Sequence, residues 1–170
     1  MEPAPQSVGP GGDASGSPRS GPSLRTRALG LLAMREHSRV ELSRKLAPHA
    51  ESDEALSAVL DALEQAGHMS ERRFVESLIR RRSQRYGSRL IEHELQGHRI
   101  ADDISGPLLR ELAVDERQRA LEVWRKRFGR APEDLKERAR QQRFLAQRGF
   151  DAEVISAVFR AIRDGSAGQN

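Results

Sequence analysis

The feature that most constrains this chain is an internal repeat. Leu32, Leu78 and Trp124 are 46 residues apart at each step, and so are Arg27, Arg73 and Arg119 and also Arg35, Arg81 and Arg127. At a constant shift of 50, Leu95, Ile100, Ile104, Leu108, Leu109 and Leu112 map onto Leu145, Phe150, Val154, Val158, Phe159 and Ile162. Leu46, Val59, Leu60 and Leu63 lie 49 residues before Leu95, Leu108, Leu109 and Leu112. Six matched positions at one shift are hard to obtain from unrelated amphipathic helices. Self-similarity at this period is the signature of stacked supersecondary units.

Each unit reads as three helices. In the first, Leu24, Ala28, Leu29, Leu31 and Leu32 form one apolar face at helical period. Ser38 caps a second helix and, with Glu41, makes an S-x-x-E capping box; Pro48 ends that helix. Ser52 opens a third helix with Leu56, Val59, Leu60 and Leu63 inward, and Gly67 stops it. The second unit follows with helices from Ser70, from Gly87 and over 101–113. The third has helices over 115–128, 133–148 and 152–162, with Trp124 in its core.

The reading is therefore an all-α protein of three tandem three-helix repeats stacked into an elongated, curved, solenoid-like shape. The divisions are 24–69, 70–113 and 114–163 for the units, 1–23 for a disordered N-terminal tail and 164–170 for a flexible C-terminal tail. A unit of about 45 residues buries too little surface to be secure alone, so neighbours are expected to share core. The tail assignments rest on composition: residues 1–23 are rich in Gly, Pro, Ser and Ala and hold almost no large apolar side chain.

Charge is the second constraint. Hydrophobic residues make up 36% of the 170 and charged residues 32%, which suits thin helical layers with wide solvated faces. The net charge is +4 and the cations are nearly all arginine, Lys45, Lys126 and Lys136 being the only lysines. Arginine's planar fork suits phosphates and carboxylates alike. With one Trp, one Tyr and five Phe, base stacking is not a broad strategy. There is no cysteine, so disulfides and thiolate zinc sites are excluded. No apolar run reaches the roughly 20 residues of a spanning helix, and no signal-peptide pattern opens the chain. A cytoplasmic protein is expected.

The densest cationic stretch is Ser70 to Leu95. Phe74, Val75, Leu78 and Ile79 face inward, while Arg73, Ser77, Arg80, Arg81 and Gln84 share another side. Residues 70–90 hold seven arginines against Glu71 and Glu76. Arg73, Arg80, Arg81, Arg85 and Arg89 form the first candidate contact set, for DNA phosphates or an acidic protein groove. Arg82 points toward the apolar arc and is expected to snorkel or to pair with a carboxylate. Arg119, Arg125, Lys126, Arg127 and Arg130 form a second cluster, followed by Arg138, Arg140 and Arg143. The plain alternative for each is a solvated helix face. If the units stack regularly, Arg27/Arg73/Arg119 and Arg35/Arg81/Arg127 give a recurring cationic row. In the next helix Leu90, Ile91 and Leu95 are expected inward, and Gly87 is read as the point of a sharp turn.

Nothing points to catalysis. The five histidines share no ligand spacing with carboxylates or each other, and are read as scattered surface residues. There is no H-E-x-x-H, no Walker loop and no nucleophile elbow. No cofactor or metal is expected. Glu41 and Lys45 are read as an i, i+4 ion pair.

Two stretches resemble the motifs of the RecX family, bacterial regulators of the RecA recombinase. The first is Leu31, Leu32, Arg35, Ser38, Glu41, Leu42, Lys45 and Leu46. The second is Gly67, Met69, Glu71, Arg73, Phe74 and Val75, then Arg80 to Arg82, Gly87, Glu94 and Leu95. Ser38, Glu41, Leu42, Lys45, Leu46, Gly67, Phe74, Gly87, Glu94 and Leu95 are the structural part of these motifs. Departures occur at Arg85 and Arg99, where the family often has glycine. The third unit matches least well outside Gly149-Phe150. The resemblance implies a non-enzymatic protein that binds the RecA filament on single-stranded DNA; a monomer is expected. The same resemblance implies that it limits filament extension and inhibits strand exchange and ATP hydrolysis, so regulating recombinational repair and the SOS response. The alternative is an Arg-rich helical protein that binds nucleic acid directly.

Overall fold

The computed structural model describes residues 21–165. The expected tails lie outside the described residues over 1–20 and 166–170. The described chain is all helical: α1 (Leu24–Met34), α2 (Arg39–Leu46), α3 (Asp53–Gln65), α4 (Glu71–Arg82), α5 (Ser88–Gly97), α6 (Asp102–Val114), α7 (Glu116–Arg127), α8 (Leu135–Gln147) and α9 (Ala152–Arg163). A short 3-10 turn, Ala47–His49, follows α2.

The starts of these helices follow from the sequence. Ser23, Ser38, Ser52, Ser70 and Asp134 each accept, through the side chain, the amide of the residue three positions on. Such a cap stabilises by about 1 kcal/mol. Gly67, at φ 71°, ends α3, and the His68 and Met69 amides turn back to the Leu63 carbonyl. Arg99, one of the two departures from the family's glycines, adopts a left-handed φ of 55°, and Gly149, fifty residues on, has φ 82°. The sequence therefore places a side chain at a position whose backbone favours glycine.

The apolar residues divide into three clusters, one per set of three helices. α1–α3 and Met69 enclose Ala28, Leu42, Leu46, Leu56, Leu60 and Leu63. α4–α6 gather around Phe74, Val75, Leu78, Ile91, Leu95 and Ile100. α7–α9 are held by Ala120, Leu121, Val123, Trp124, Leu145, Phe150, Ile155, Val158, Phe159 and Ile162. Burying each large side chain contributes about 1.5–3 kcal/mol.

Several expectations need correction. Neighbouring units do not merge into one core: each cluster is its own, and polar contacts carry much of the junctions between them. Leu90 is 36% exposed rather than inward. His37 is buried, not a surface histidine. Ser38 caps α2, but the Glu41 carboxylate does not complete the box; it goes to Arg35 and His37 instead of to Lys45. Lys45 is exposed. α8 starts at Leu135, behind its Asp134 cap, two residues later than the sequence suggests.

Candidate interaction surface

The two junctions between units are built from the same positions. Ser38, the cap of α2, bonds His98, the residue that ends α5, at 2.8 Å from Oγ to Nδ1. One repeat later Gly87, which caps α5, donates its amide to the carbonyl of Arg148, the residue that ends α8, also at 2.8 Å. The second helix of one unit thus begins where the second helix of the next unit ends.

Gly87 is required for this approach rather than for a turn. Its φ is −77°, open to any residue. A Cβ there would collide with the Gly149 carbonyl and lie 2.5 Å from the Phe150 amide nitrogen. Glycine, however, cannot cap a helix through a side chain, and α5 is capped from the next unit. Buried Glu116, the first residue of α7, accepts the Ser88 amide at 2.6 Å. Arg89 adds an exposed ion pair to Asp151 at 3.4 Å.

The recurring arginine at 27, 73 and 119 belongs to the same junctions. Arg73 donates through Nε to Glu36 (2.8 Å) and through Nη2 to the carbonyls of Gly67 and His68. Arg119 is half-buried and donates to the carbonyls of Ser83, Tyr86 and Leu112 and to the Ser88 hydroxyl. Burial lowers its pKa, with Glu116 and Asp115 opposing. In both cases the guanidinium reaches the turn between the first two helices of the preceding unit and the end of that unit's third helix. Arg27, at the same register in the first unit, donates to the Pro22 carbonyl, a neighbour five residues back, among the described residues. Arginines 73 and 119 are therefore junction residues, not members of a free cationic row.

The remaining candidates separate by partner. Arg82 pairs with Glu94 at 2.9 Å and lies over the Tyr86 ring. Arg35 pairs with Glu41. Arg81 donates to the Ser77 carbonyl within its own helix, and Ser77 itself is buried, so the middle of the expected polar stripe is covered. Arg80 and Arg85 are exposed and have no ion pair among the described residues. Lys126 and Arg127 are exposed on α7, with Arg127 over Phe128, and Arg125 is half-buried.

Three polar residues escaped the sequence reading. Glu116 sits in a charged run and gives no sign that it is buried. Gln141, fully buried, accepts the Trp124 indole N–H at 2.7 Å. His37 lies 2.8 Å from Glu41. Burial, with Arg35 close by, lowers the His37 pKa below its ordinary value. Burial pushes the Glu41 carboxyl up, but Arg35 and His37 outweigh it and hold the group below the usual range. The spacing from His37 to Glu41 was available as a signal.

Among the described residues no group of His, Asp and Glu is placed to hold a metal, and no helix is long and apolar enough to cross a membrane.

Comparison with known proteins agrees with this architecture. Residues 70–105 match the family model described as "RecX, second three-helix domain", and residues 115–159 match "RecX, third three-helix domain". The third unit, weakest by motif, is thus matched by the longer segment. The "Regulatory protein RecX" of Ralstonia nicotianae is 49% identical over 141 residues, covering 83% of this chain and 89% of its own. That of Herminiimonas arsenicoxydans is 50% identical over 139 residues, covering 82% and 92%. The crystal structure of RecX from Lactobacillus salivarius superposes with a TM-score of 0.65 at 18% identity, covering 82% of this chain and 94% of that one. With helical repeats, junctions and relatives in agreement, the chain belongs to the RecX family of regulatory proteins.

Proposed function

We propose that this chain regulates the RecA recombinase by lying along the RecA–DNA filament, limiting its extension and suppressing strand exchange and ATP hydrolysis. It does so by binding alone, as a monomer in the cytoplasm, and thereby regulates recombinational DNA repair and the SOS response. The observation that carries the reading is the repeated junction: Ser38 to His98 and Gly87 to Arg148 set one unit against the next through equivalent positions. A linear array of like units suits a long periodic partner better than a small substrate. Membership of the RecX family supports RecA as that partner.

Within this reading the contact residues are Arg80, Arg81 and Arg85 at the end of α4 and Lys126 and Arg127 at the end of α7, exposed cations at corresponding places in two units. Arg73 and Arg119 hold the units in register behind them.

The test is ATP hydrolysis by RecA on single-stranded DNA, titrated with this protein beside a DNA-only binding control at the same salt. Suppression well below one chain per RecA, at concentrations that leave most of the strand unbound when RecA is absent, supports the reading. Loss of hydrolysis only where the protein saturates the DNA would indicate competition for the strand and overturn it.

A further inference from the structure

On most of the molecule an arginine with a visible partner has found a carboxylate: Arg39 with Asp61 and Glu64, Arg72 with Glu76, Arg82 with Glu94, Arg130 with Glu133. One region differs. On α8 the residues 140, 143, 144, 147 and 148 follow helical i, i+3, i+4, i+7, i+8 spacing and make one outer stripe, Arg-Arg-Phe-Gln-Arg. Beside it the end of α7 contributes Arg127 and Phe128.

Here the arginines partner rings. The Arg148 guanidinium lies 3.8 Å from the centre of Phe144. Arg127 and Arg140 lie 5.6 Å and 5.7 Å from the centre of Phe128. The two rings meet edge to face, 5.1 Å apart at 78°. An open hollow lies beside them, lined by Arg127, Phe128, Arg140, Arg143, Phe144 and Gln147. Arg127, Arg143 and Arg148 have no carboxylate partner among the described residues, and Arg140 has only a 3.5 Å contact to Glu137.

The chemistry selects the ligand. A guanidinium over a ring keeps its charge uncompensated and its N–H edge available. Two phenyl rings at right angles, both half-buried, offer flat apolar surface beside that charge. A ligand using both features carries closely spaced anions and exposed π faces. Duplex DNA has the anions but hides its base faces, and an acidic peptide has the anions without the faces. We infer that the α7–α8 surface is a binding site for single-stranded nucleic acid, with phosphates on Arg127, Arg143 and Arg148 and a base in the Phe128–Phe144 hollow, where Gln147 presents an amide to its edge. Stacking beside a cationic track is how sequence-tolerant single-strand sites work. This site goes beyond the proposed action on the filament, and the test omits RecA so that the two stand or fall separately.

The measurement is fluorescence anisotropy of a labelled oligothymidylate titrated with the full chain, with a duplex of equal length and polyglutamate as competitors. Wild type should prefer the single strand to both by tenfold or more. Arg143→Gln with Arg148→Gln should weaken binding at least tenfold and reduce the salt slope by about 1.4, for two lost single-strand phosphates. Phe144→Leu, which keeps an apolar side chain but removes the flat aromatic face, should weaken binding several-fold at an unchanged salt slope. Circular dichroism and Trp124 emission confirm the fold of each variant. No single-strand binding, equal binding of duplex, equal competition by polyglutamate, or variants indistinguishable from wild type would each overturn the site.

Discussion

Glu116 on α7 and Ser88 on α5 belong to different units, yet the Glu116 carboxylate accepts the Ser88 amide at 2.6 Å and so caps the helix that Gly87 cannot. The two residues solve one problem jointly. Gly87 lacks a Cβ because the Gly149 carbonyl occupies that space, and losing the side chain forfeits the cap. The cap is then supplied from the unit whose approach caused the loss. Replacing Glu116 with Gln retains an acceptor and should cost little. Glu116→Ala leaves the start of α5 uncapped and should cost about 1 kcal/mol, read from urea unfolding. Equal stability of the two variants would separate Glu116 from the cap.

Gly87→Ala tests the close approach itself. Its backbone angles suit alanine, so an isolated helix start would tolerate or gain from the change. In the junction the methyl group must displace the Gly149–Phe150 backbone, and overpacking of this kind costs about 1–3 kcal/mol. A lowered Tm for Gly87→Ala is expected. A raised Tm would mean that the second and third units do not meet as closely as described.

Arg119 and Arg80 should respond in opposite ways. Arg119→Gln removes donors from three carbonyls and a hydroxyl in a half-buried junction and should lower stability by roughly 2–3 kcal/mol. Arg80→Gln, on an exposed position, should stay within about 0.5 kcal/mol of wild type. When Arg80, Arg81 and Arg85 are changed together, helical circular dichroism should persist while inhibition of RecA ATP hydrolysis weakens. Full inhibition by that triple variant would remove the end of α4 from the contact surface.

The contrast between those two arginines also shows what the sequence makes legible. Leu60, Phe74, Leu95 and Trp124 are buried where apolar period and repeat register put them, because an inward face is a property of one helix. The junctions are properties of two units. Arg73 and Arg119 look like solvated cations because their acceptors are mostly backbone carbonyls, which leave no mark in a sequence. Glu116 is hidden for the same reason, its partner being an amide. Gly87 stands out as glycine, but a close approach and a tight turn call for the same residue. Glu41 has Lys45 at i+4 and His37 at i−4, and only the fold, by burying His37 and bringing Arg35 across, decides between them.

That last cluster carries a pH dependence whose sign follows from the shifts. The folded-state pKa of His37 lies below its ordinary 6.5, mainly through burial, so the unfolded chain takes up the proton first. Its contribution is complete above pH 6.5 and is lost as pH falls from there toward the lowered folded pKa. Glu41 is also shifted down, from 4.5, and its contribution is lost only below that value. Wild type should therefore lose stability in two steps on acidification, one beginning near 6.5 and a second below 4.5. His37→Gln fills much of the same space without titrating. It should abolish the first step and leave the second, measured as Tm from pH 8 down to about pH 2.5. An unchanged decline between pH 7 and 5 in that variant would assign the first step to another group.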